Sequence, residues 1–146
     1  WSAYRARCSR MGSRRKGREA ALQMLFQLDG TGLELEGVVT EFWNHLCESR
    51  EGQDFATSIV EGYWSSQDDV NKTISDVSHH WRIERMTKVD RNILRLATYE
   101  LMTFGDIPRR VTLNEAVELA KRFGTEASPG FVNGVLDRIA ADLGKD

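Results

Sequence analysis

TKVDRNILRLATYELMTF, residues 87–104, is the stretch on which the fold class turns. Ile93, Leu94, Leu96, Ala97, Tyr99, Leu101, Met102 and Phe104 surround its axis when it is wound as a helix. A helix that is apolar on most sides is buried on most sides, so Thr87–Phe104 is expected to be the central helix of the protein. Gly105-Asp106-Ile107-Pro108 ends it, because proline disfavours helix at the residue before it and has no backbone N–H to donate. Glu100 shares a face with Ile93, Ala97 and Phe104, and a carboxylate there must find hydrogen-bond donors. No second carboxylate or histidine is nominated beside it, so a structural role is expected, such as accepting from a helix N-terminus.

Working outward, the flanking segments also read as helices, and no window alternates as a strand does. The first helix spans Ser13–Leu28, with Ala20, Ala21, Met24, Leu25 and Leu28 as its apolar stripe, and Gly30 and Gly32 follow it. The second spans Leu35–Cys47, with Leu35, Val38, Val39, Phe42, Trp43 and Leu46 on one face. The third spans Asp54–Trp64. The fourth starts near Ser66, where Ser66 and Asp69 resemble a capping box, and its stripe is Val70, Ile74, Val77 and Trp81. Beyond the central helix, Thr112 and Glu115 form a capping box for the sixth, which Gly124 stops. Ser128 and Pro129 open the seventh as cap and first-turn proline. The fold class is therefore all-α, with about seven helices in a compact bundle or a pair of bundles.

The chain has 146 residues, which suits one domain. Its composition is that of a globular protein that is soluble and cytoplasmic by default, with no apolar run near the ~20 residues that span a bilayer. The net charge of −2 conceals an asymmetry. Residues 1–18 hold seven basic side chains and no acid, whereas the remaining 128 carry a net charge of −9. A basic arm on an acidic body points to a polyanion as partner. Charge alone does not separate RNA from DNA, but the cations lie ahead of the first helix rather than on a recognition helix. Gly17 within the arm is expected to loosen the first turn and leave the arm disordered without its polyanion partner. Residues 1–12 are expected to be a disordered extension outside the fold, since Trp1 is no initiator and Met11 is the first methionine. Residues 13–146 then form a single domain with subdomains of about 13–80 and 81–146.

No catalytic or metal site is expected, and no cofactor. His79 and His80 adjoin, so on a helix they point about 100° apart and cannot share one ion. Cys8 and Cys47 are too few for a disulfide framework and match no zinc spacing.

The C-terminal half resembles the NusB family of bacterial transcription antitermination factors. The resemblance is carried by Val89-Asp90-Arg91, Ile93-Leu94-Arg95, Tyr99-Glu100-Leu101 and Asp106-Ile107-Pro108, followed by Asn114 to Lys121, Phe123-Gly124 and Phe131 to Asp137. A shorter match covers the arm and Arg18 to Gln23. The resemblance implies two small helical bundles packed together (a NusB-like fold). It also implies binding to the boxA element of ribosomal RNA leader transcripts as a single strand, and pairing with the ribosomal protein NusE within the transcription elongation complex. By position, Arg14, Arg15, Lys16 and Arg18 match the RNA-binding arm. Phe131 matches an aromatic that lies by the RNA, where a ring can stack on an unpaired base, although core packing explains it equally well. Glu84 and Asp90 match acidic positions on the surface that meets NusE, with a solvated helix end as the plainer alternative.

Two other readings stay open. A helical protein-interaction module would need no RNA. A NusB-like domain also precedes RNA methyltransferase domains, and a reading frame that continued past Asp146 would favour that origin. Some members of the family form homodimers that hide the RNA surface, and the sequence leaves oligomeric state open.

Overall fold

The computed structural model describes residues 13–146; the disordered extension expected over residues 1–12, with Cys8, lies outside the described residues. The helices are α1 (Ser2–Leu28), α2 (Leu35–Glu41), α3 (Gln53–Ser65), α4 (Gln67–Val77), α5 (Lys88–Thr103), α6 (Arg109–Phe123) and α7 (Ser128–Asp142). A π-helical turn, Phe42–Leu46, follows α2, and a 3-10 turn, Ile83–Arg85, precedes α5. No strand occurs among the described residues, so the all-α expectation holds. The chain forms two compact units, residues 1–61 and 62–146. The boundary falls within α3 rather than near residue 80, because α4 packs on α5 and α7.

In the first unit, α1 buries the expected stripe of Ala20, Ala21, Met24, Leu25 and Leu28, and α2 packs on it. The second helix changes pitch where the expected one ran on to Cys47. The Cys47 amide donates to the Phe42 carbonyl at 2.8 Å, a five-residue step. Phe42 and Trp43 turn inward, edge to face with centroids 4.8 Å apart. Leu46, which a regular helix would stack under Phe42, is left exposed.

In the second unit α5 is central, as expected. Ile93, Leu94, Leu96 and Ala97 are fully buried, and α4, α6 and α7 all pack on it. Thr87 caps it by accepting from the Asp90 amide at 3.1 Å. Three other expected caps differ. The Ser66 hydroxyl donates back to the Gly62 carbonyl at 2.7 Å and makes no cap bond to α4. The helix that Thr112 was expected to cap starts at Arg109, directly after Pro108. Thr112 is therefore an interior residue, buried, and its hydroxyl donates to Glu100 Oε1 at 3.4 Å. That contact gives Glu100 a donor from the first turns of a neighbouring helix. Ser128 acts one turn early, accepting from the Thr125 amide at 2.9 Å, while Pro129 occupies the first turn of α7 as expected.

Candidate nucleic-acid interface

The arm residues sit on α1 in the first unit. From Ser13 to Leu28 the described part of α1 is unbroken helix, so Gly17 does not loosen it. The reason lies across the helix, where Gly17 faces the loop that leads into α3. A Cβ on Gly17 would lie 2.9 Å from the Gly52 carbonyl oxygen and 3.0 Å from Phe55 Cδ2. Gly52 has φ +75°, a left-handed conformation that favours glycine. A Cβ there would press on Gly17 N at 2.6 Å. Two glycines thus let α1 and this loop meet backbone to backbone.

This docking divides the basic run. Arg14 and Arg18, four residues apart, share the docked face. Their guanidinium carbons lie 5.7 and 5.2 Å from the centre of the Phe55 ring, within cation–π range. Arg18 is only 2% exposed, so this expected RNA contact is a packed side chain instead. Arg14 is half-buried, while Arg15 and Lys16 are exposed. The sequence could not show this split, because charge is symmetric along the run; the signal was Gly17 set between Arg14 and Arg18, with Phe55 three residues after Gly52.

Phe131 lies in the second unit, in the first turn of α7, and is half-buried. Its ring meets Trp81 edge to face at a centroid distance of 6.1 Å and an interplanar angle of 77°. Sequence reading placed Trp81 on the apolar stripe of the fourth helix. Instead α4 ends at Val77, and Trp81 stands in the following turn, 60% exposed. The two acidic positions differ. Glu84 is exposed in the 3-10 turn and lines an open cleft of ≈ 450 Å³ with Trp81, Arg82 and Arg85. Asp90 is 9% exposed in the first turn of α5, where its charge complements the helix dipole. It is not a solvated surface carboxylate, and its Oδ1 has no hydrogen-bond partner among the described residues.

Among the described residues no cluster of histidine, cysteine and carboxylate side chains is placed to hold a metal ion. Nor is any described helix long and apolar enough to cross a membrane. Cys47 is half-buried with its thiol directed at the Trp43 carbonyl, 3.3 Å away.

Residues 15–141 match the model of the NusB family. The chain is 50% identical over 135 residues to the transcription antitermination protein NusB of Sorangium cellulosum (strain So ce56), covering 92% of this chain and 96% of that one. The NusB of Myxococcus xanthus (strain DK1622) is 46% identical over 139 residues, covering 92% and 99%. Among solved structures, T. maritima NusB superposes with a TM-score of 0.80 at 41% identity, over 88% of this chain and 91% of that one. The structure of antitermination factors NusB and NusE in complex with dsRNA gives 0.80 at 25% identity, over 90% and 98%.

Proposed function

The chain belongs to the NusB family, and from that premise we propose that it is a cytoplasmic transcription antitermination factor. In this role it binds boxA-type single-stranded RNA of ribosomal RNA operon transcripts together with the ribosomal protein NusE, as part of the elongation complex. It performs no chemistry of its own on the RNA.

The observation that carries the reading is the rigid presentation of cations on α1. Arg15 and Lys16 are exposed on a helix that two close glycine contacts hold against the start of α3. Phosphate contacts by such side chains release counterions, and a helix that is already formed loses less entropy on binding than a disordered arm would. Phe131 adds a half-buried ring that can stack on a base. A relative of similar fold is known in complex with NusE and dsRNA, which supports both partners. On the protein side, Glu84 is the exposed acid for NusE, and Asp90 holds the start of α5 from within.

Isothermal titration of the protein with a short boxA-like RNA, with and without NusE, tests the reading. RNA binding that tightens when NusE is present is expected. No RNA binding under either condition, with NusE still bound, would replace it by a purely protein-binding module.

A further inference from the structure

Trp81 has the highest exposure of the large apolar side chains among the described residues. A side chain of this size stabilises a fold strongly when buried, so a held-out indole calls for a partner. The backbone around it is well fixed. The Trp81 amide donates to the Ser78 carbonyl at 2.9 Å, and the buried Ser78 hydroxyl donates to the Ile74 carbonyl at 2.8 Å. Two residues on, buried Ile83 anchors the 3-10 turn. The indole is thus exposed because its turn holds it there.

Trp81 touches Phe131 in a near-perpendicular contact, which covers the face of at most one of the two rings. His79, His80, Arg82 and Arg85 are all exposed along the same segment. An aromatic ring flanked by cations is the arrangement that single-stranded nucleic acids favour, with the ring under a base and the cations on the backbone. Glu84 is the one acid in the segment. It lines the same cleft as Trp81, Arg82 and Arg85, where the two arginines outnumber it.

We propose that Trp81 is a second base-stacking residue of the RNA surface, taking the unpaired base adjacent to the one that Phe131 takes, while Arg82 and Arg85 contact the intervening phosphate. The inference rests on the RNA reading above and extends it to a residue and a segment that reading does not use.

The test is RNA affinity of Trp81→Ala, Trp81→Leu and Trp81→Phe in the full chain, measured with a short single-stranded RNA in the presence and absence of NusE. Loss of one stacked base is expected to weaken binding on the order of tenfold in the alanine and leucine variants, with most of the affinity kept by phenylalanine. The salt slope should stay unchanged, because no phosphate contact is lost. Photocrosslinking of 5-iodouridine RNA to the wild-type protein should map to the peptide that contains Trp81. Wild-type affinity in all three variants, with no crosslink there, overturns the inference and leaves the RNA reading standing. Variants that keep RNA affinity but lose NusE assign the indole to the protein partner and equally overturn it. If the wild-type chain itself binds no RNA, the broader reading fails first. Trp81 is exposed, so unchanged melting of the variants is expected and separates lost contact from lost fold.

Discussion

Replacing Gly17 by alanine puts two physical effects in opposition, and their sum tells a docked arm from a solvated one. In a solvated helical arm the substitution stabilises, because alanine is favoured over glycine inside a helix by about 1 kcal/mol. Here the added methyl meets the Gly52 carbonyl oxygen at 2.9 Å and Phe55 Cδ2 at 3.0 Å. Neither neighbour gives easily. The Gly52 carbonyl already accepts from the Ala56 amide at 2.9 Å, in the first turn of α3. The Phe55 ring is faced by both Arg14 and Arg18, so moving it displaces two guanidinium groups. Overpacking of this kind costs about 1–3 kcal/mol, which leaves a net loss of about 1 kcal/mol. Thermal unfolding should show a fall on the order of 3 °C for a domain of this size. Hydrogen exchange should localise the effect, with faster exchange at the start of α3. Gly52→Ala should do more harm, since it adds the cost of a left-handed alanine, about 1–2 kcal/mol, to a backbone collision. A Gly17→Ala protein that melts higher than wild type would refute the docking argument, and with it the explanation of why Arg18 is buried.

Three further outcomes follow from other contacts. Thr112→Val removes a donor from buried Glu100 and should destabilise by about 1–3 kcal/mol in denaturant titration, whereas Thr112→Ser should stay close to wild type. Gly62→Ala places a methyl group into the Tyr99 ring, so a melting loss of several degrees is expected, and a neutral result would mean that the Tyr99 ring swings aside without cost. Glu84→Lys should weaken association with NusE in a pull-down or titration without weakening RNA binding, because the side chain is exposed and its loss leaves the fold intact; equal loss of both would point to misfolding.

Much of this architecture was legible in the sequence because helix periodicity is a long-range signal. The stripe on α1 and the all-round apolarity of α5 each involve many residues, and both were read correctly. Helix ends were harder, since each depends on one or two hydrogen bonds. Thr112 and Glu115 have the spacing of a capping box, yet Pro108 lets the helix begin at Arg109, and Thr112 serves Glu100 instead. Ser66 similarly bonds backwards to Gly62. The extra residue in the Phe42–Leu46 turn leaves no pattern that a period of 3.6 can detect, and it reversed the placement of Leu46. In the candidate site, the basic arm was visible as charge, but its division into packed and outward cations depends on a contact with residues 52–55, some 35 positions along the chain. Trp81 was misplaced for a simpler reason. It stands at helical spacing from Val77, but the helix stops at Val77.

The most direct test of an RNA interface built on the outward cations of α1 is the salt dependence of RNA affinity, compared between the wild-type chain and the Arg15→Ala/Lys16→Ala protein with NusE present. Each lost phosphate contact on a single strand should flatten the log–log slope by roughly 0.7, so the double variant is expected to be shallower by about 1.4 and weaker at low salt. Identical slopes for the two proteins would contradict it.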